Sequence, residues 1–140
     1  MNFKLQYGED FDENYLKRIM EIDEIVYAED GYVGELKNMV ARYLVDPRQF
    51  VCIEDTESGR LAGYINFIPC TKALYEDIRY QSEHIRDDDI RPQELEPLKQ
   101  TGNDLFIISI ALHPDFKDTD AIKDLSNGWI DYLNRLETSG

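Results

Sequence analysis

The residues best placed to do chemistry fall in three stretches. Asp104 opens an apolar run, Leu105 to Leu112, that ends in the turn His113-Pro114-Asp115. The chain then reads Lys117-Asp118-Thr119-Asp120-Ala121-Ile122 where an amphipathic helix starts. A helix start offers unpaired amide donors and the positive end of a dipole, a natural anion site. Here Asp118 and Asp120 bring carboxylates to that place, where they can cap the helix themselves and repel an incoming anion. A second set, Tyr27, Tyr32 and Glu35, combines a carboxylate with two phenols and could hold a cationic amine. The third, Tyr64 and Asn66, shares one face of a strand, and Asn66 could orient an amide or satisfy a bulge.

Other chemistries are poorly supplied. His84 and His113 are scattered, and His113 before a proline reads as structural, so a zinc site is not expected. Asp87-Asp88-Asp89 lacks the glycine and terminal glutamate of a calcium loop. Cys52 and Cys70 lie far apart inside apolar segments and read as free buried thiols, which points to the cytoplasm. The net charge of −14 comes from 29 acids against 15 bases. No basic stripe is present, so a nucleic-acid partner is not expected. No apolar run is long enough to span a membrane, and the N-terminus does not read as a signal peptide.

The elements that must carry these residues are legible from periodicity. Phe3, Leu5 and Tyr7 alternate as a strand. Asp10 or Asp12 can cap a helix whose apolar face is Tyr15, Ile19, Ile22 and Val26. Leu36, Met39, Val40 and Tyr43 mark a shorter helix that ends before Asp46-Pro47. Gln49 to Glu54 and Leu61 to Cys70 form two antiparallel strands around a turn at Gly59. Thr71 to Asn103 is a long acidic insertion, expected to be the most mobile part and to lie on the acceptor side. Leu105 to Leu112 lacks alternation and reads as a strand covered on both faces. Ile122, Leu125, Trp129, Leu133 and Leu136 form the last helical stripe. A chain of 140 residues with this order makes one α/β domain, 1–140. Its central sheet is expected to be mainly antiparallel, with helices on its flanks.

With Gly63-Tyr64-Ile65-Asn66-Phe67 in one strand and Ile110-Ala111-Leu112-His113-Pro114-Asp115-Phe116 after the next, this order resembles the N-terminal part of the GNAT superfamily of acyl-CoA-dependent N-acetyltransferases. The match runs from about Tyr15 to Thr138. The resemblance implies a GNAT-like sheet lacking the family's C-terminal strands, so the domain is partial. It implies acetyl-CoA as cofactor, with its arm along Ile110, Ala111 and Leu112 and its pyrophosphate over Lys117 to Ile122. In the family the second phrase is commonly followed by R-x-x-G-x-G/A. Lys117 takes the arginine position, and Asp120 and Ile122 take the two small-residue positions, so weak or absent binding is expected. Asp104 stands where several members carry a catalytic carboxylate, which suits deprotonation of an amine. Tyr27, Tyr32 and Glu35 lie in the segment that lines the acceptor pocket, and Tyr64 and Asn66 are grouped with them. The acceptor implied is a small amine or a peptide amine. The alternative is a non-catalytic GNAT-like module that binds a partner or ligand. With the family's next strand missing, the edge of 105–112 invites a homodimer.

Overall fold

The computed structural model describes residues 2–27, 36–74, 76, 90, 92, 95 and 104–139. Its elements, in chain order, are β1 (Phe3–Tyr7), α1 (Glu13–Tyr27), α2 (Leu36–Tyr43), β2 (Phe50–Asp55), β3 (Leu61–Cys70), β4 (Asp104–Leu112) and α3 (Ala121–Ser139). The strands form one four-stranded sheet in the order β1-β2-β3-β4. Every neighbouring pair is antiparallel. The consecutive order expected from the sequence is therefore the order found.

Strand alternation sorts the side chains between the two faces. Phe50, Cys52 and Tyr64 pack with Leu16, Ile19, Met20 and Ile22 of α1 and with Met39 and Tyr43 of α2. Val51, Ile53, Ala62, Ile65 and Phe67 face the other way, onto Ala121, Leu125 and Tyr132 of α3. The α1 helix begins as expected: the Asp12 carboxylate accepts from the Tyr15 amide at 2.8 Å. The Tyr43 hydroxyl, at the end of α2, donates to the carbonyls of Gly8 and, at 3.0 Å, of Phe11. That ties α2 to the turn after β1. Asp46 turns the chain into β2 by accepting from the Arg48 amide at 3.0 Å.

Two details depart from the periodic reading. The stripe of α3 is rotated: Ile122 is 39% exposed, while Ala121 and Tyr132 are buried. The reason is close approach. A methyl group built on Gly128 would stand 2.5 Å from Leu5 Cδ1, so the helix sits on β1 through its glycine, and that fixes its rotation. The insertion also contributes to the core. Leu74, Ile90 and Leu95 are buried with Ile68, and Val45 and Ile108 pack against them. The insertion is thus anchored at these three positions. Most of it, including Asp87-Asp88-Asp89, lies outside the described residues.

Candidate functional site

The β3–β4 register shifts between Asn66 and Phe67: Asn66 pairs with Ser109, and Phe67 pairs with Ile107. Ile108 is the extra residue of a β-bulge. A bulge turns two successive side chains toward one face. Ile108 accordingly packs against the cluster that holds Ile68, and Ser109 reaches Tyr64.

Beneath this bulge lies a chain of three side chains from three elements. The Ser109 hydroxyl, on β4, donates to the Tyr64 oxygen, on β3, at 3.1 Å. The Tyr64 hydroxyl donates in turn to Asp23 Oδ1, on α1, at 2.6 Å. Tyr64 is fully buried and Asp23 nearly so. Burial pushes the Tyr64 phenol well above its ordinary pKa, and the adjacent Asp23 charge and hydrogen bond push it further. It therefore stays protonated and remains the donor. Asn66 lies on the same face, 2% exposed, with an Oδ1 that finds no hydrogen-bond partner among the described residues. At the last turn of α1, the Tyr27 hydroxyl donates to the Ile110 carbonyl at 2.9 Å and fastens the helix to β4.

Of the acceptor residues singled out in the sequence, Tyr27, Tyr64 and Asn66 are thus brought to the α1 face of β3 and β4. Tyr32 and Glu35 lie outside the described residues, as does the side chain of Asp104 at the first position of β4. Asp23 and Ser109 were not singled out. Each carried a signal: Asp23 is an acid inside the apolar stripe of α1, and Ser109 is a hydroxyl inside an apolar strand.

The turn after β4 differs in one respect from expectation. Its residues 114–116 form a short 3-10 turn capped by His113, whose Nδ1 accepts from the Asp115 amide at 3.0 Å. The side-chain oxygen that takes the Ala121 amide is Thr119 Oγ1, at 3.2 Å, rather than a carboxylate. Thr119 wins because its hydroxyl is already fixed by donation to the Phe116 carbonyl at 2.6 Å. Lys117, Asp118 and Asp120 point to solvent. Ile110, beside them on β4, is 42% exposed, and Ala111 is buried against α1.

A cleft of about 340 Å³ lies between α1, the β2–β3 turn and His113. Its two arginines are occupied. Arg18 donates to the Gly59 carbonyl at 2.8 Å, and Arg60 holds Asp115 at 2.7 Å. Among the described residues no group of histidine, cysteine and acid side chains could hold a metal ion.

No family model matches the sequence, and no curated protein matches it either. Solved structures do match. The loading GNATL domain of CurA from Lyngbya majuscula gives a TM-score of 0.64 at 10% identity, over 94% of this chain and 58% of that one. Mosquito arylalkylamine N-acetyltransferase like 5b gives 0.62 at 14% identity, over 96% of this chain and 72% of that one. The GphF GNAT-like decarboxylase in complex with isobutyryl-CoA gives 0.60 at 10% identity, over 95% and 58%. The protein has a GNAT-like fold. At these identities the likeness concerns the fold alone, and the chain spans 58% of the first of these structures.

An acyl-CoA fits one part of this chain and not another. The exposed length of β4 at Ile107 and Ile110 has room for an extended arm. The turn at Lys117 to Ile122 suits a diphosphate badly. Thr119 already takes the Ala121 amide, and carboxylates stand at positions 118 and 120. Because both carboxylates are exposed, their repulsion belongs to the solvent-screened end of the range, roughly 1 kcal/mol at ~4 Å rather than ~4.

Proposed function

We propose that this chain is a divergent, partial domain of an acyl-CoA-dependent N-acetyltransferase of the GNAT type, acting on a small amine or a peptide amine. The observation that carries this reading is the polar chain Asp23–Tyr64–Ser109 beneath the bulge of β4, in a sheet of GNAT-like form. An ammonium must lose a proton before it can attack an acyl group. A buried carboxylate linked by hydrogen bonds to the strand surface suits that need. In this reading Tyr27, Tyr64 and Asn66 belong to the acceptor side, with Tyr32 and Glu35 on the same segment of chain as Tyr27. Asp104 is the catalytic carboxylate. Ile110, Ala111, Leu112 and Lys117 to Ile122 meet the cofactor.

Asp118 and Asp120 favour a second reading, a GNAT-like module that binds a ligand or partner without acyl transfer. Calorimetry with acetyl-CoA separates the two. Weak binding, poorer than micromolar, is the expected outcome, and Asp118→Gly with Asp120→Gly should tighten it. Binding that neither variant nor wild type shows at millimolar acetyl-CoA would favour the module.

Assembly is part of the same proposal. Among the described residues β4 has a neighbour on one side only, and Ile107 and Ile110 are 40% and 42% exposed. Such an edge invites pairing with a second copy as a two-fold dimer. Sedimentation at micromolar concentration tests this, and a monomer with an open edge would defeat it. The buried free thiol of Cys52 is in keeping with a reducing compartment such as the cytoplasm. No helix among the described residues is long and apolar enough to cross a membrane.

A further inference from the structure

Hydrogen-bond direction determines what the polar chain can receive. A serine hydroxyl has one proton and two lone pairs. The Ser109 proton is committed to Tyr64, whose own proton is committed to Asp23. Ser109 therefore presents only lone pairs to anything that approaches β4. It is part-buried, so one side remains open to an approach. Its register partner across the strands is Asn66. Paired residues on one face hold their Cβ atoms about 4.5–5.5 Å apart, near enough to share one ligand. Asn66 Oδ1 is a second acceptor, buried and unpartnered among the described residues. A buried acceptor without a donor costs about 1–3 kcal/mol, which a donating ligand would recover. The carboxylate of Asp23 supplies negative charge behind both acceptors. Two acceptors, no free donor and a buried anion define a receptor for a cationic group that carries N–H bonds.

We infer that Ser109 and Asn66 receive the N–H groups of a primary ammonium, and that Asp23, acting through Tyr64, is the positioning residue that makes Ser109 an obligate acceptor. This deepens the transferase reading and rests on it only for what happens to the amine afterwards. The site excludes carboxylates, which would meet acceptors only, and quaternary ammonium groups, which have charge but no N–H. The Arg18–Arg60 cleft on the same side of the sheet does not compete, because its fixed charges are positive.

The test uses the full chain and two cations of equal charge, methylammonium and tetramethylammonium, followed by amide chemical shifts. Methylammonium should give saturable shifts at Tyr64, Asn66 and Ser109, and tetramethylammonium should not. Ser109→Ala and Asp23→Asn should each weaken methylammonium about tenfold, the loss of one charge-assisted hydrogen bond. Ser109→Thr should restore it. Rescue by threonine, with unchanged shifts elsewhere, separates positioning from a merely structural role. Equal response to the two cations, or undiminished methylammonium binding by Ser109→Ala, would overturn the inference. Acetyl transfer from acetyl-CoA to methylamine is measured separately. Binding without transfer would sink the transferase reading and leave this one standing.

Discussion

The two faces of the sheet are packed by different rules. The α3 face is apolar from Val51 through Phe67 to Leu125, and its buried surface needs nothing but fit. The α1 face buries Asp23 and Asn66 among its hydrophobic residues, with Tyr64 hydrogen-bonded between them. Burying a carboxylate costs free energy unless partners offset it, so a polar group kept inside a small core asks for a reason. The α3 face accounts for stability. The α1 face carries groups that stability alone does not require, and they converge where the edge strand bulges.

The comparison breaks most visibly in the apolar face. Phe67→Ala, in the fully buried cluster against Trp129, should cost about 3–5 kcal/mol. Urea unfolding measures this, and the ammonium response of the folded fraction should stay as it was. A cost below about 1 kcal/mol would mean that the α3 face is not the tightly packed one.

Next comes Tyr64→Phe, which removes the middle of the polar chain. It should cost about 1–3 kcal/mol, because Asp23 loses a donor and Ser109 an acceptor. Unlike Phe67→Ala, it should also abolish the preference for methylammonium over tetramethylammonium. Stability lost with the preference intact would reduce Tyr64 to packing.

A glycine pair sharpens the contrast at intermediate size. A methyl group on Gly63 would meet the Ala111 carbonyl at 2.7 Å, which is backbone and cannot swing aside. Gly63→Ala should therefore cost about 1–3 kcal/mol. At Gly128 the obstacle is the end of the Leu5 side chain, which can move. A gain of about 1 kcal/mol in helix propensity offsets that strain, so Gly128→Ala should be near neutral by thermal melting.

The smallest effect is acid sensitivity at the turn end of the sheet. The Ser58 hydroxyl holds the Asp55 carboxyl below its ordinary pKa, and Arg60 does the same for Asp115. A depressed carboxyl contributes stability above its unfolded value and loses it as the pH falls through the folded one. Melting temperature should thus drop slightly below the ordinary carboxylate range. Asp115→Asn should remove part of that drop, and a stability that rises on acidification through that range would contradict the assignment.

What the sequence alone determined was the order and type of the elements. Alternation in Phe3 to Tyr7 and the helical repeat of Tyr15, Ile19 and Ile22 are local patterns, and each found its strand or helix. The turn residues around Gly59 set the antiparallel pairing of β2 with β3, because a short connection permits nothing else. Sequence also placed Tyr64 and Asn66 on one face, since side-chain direction along a strand has a period of two. Only the tertiary structure decided the rest. The rotation of α3 followed from Gly128 against Leu5, a contact between the two ends of the chain that no local window contains. The bulge at Ile108 belongs to the register between strands 34 residues apart at their near ends, Cys70 and Asp104, so it is invisible along either one. Asp23, Tyr64 and Ser109 are separated by 41 and 45 positions in sequence. Their hydrogen bonds exist because α1 crosses β3 and β4, and that crossing is set by packing over the whole face rather than by any of the three residues.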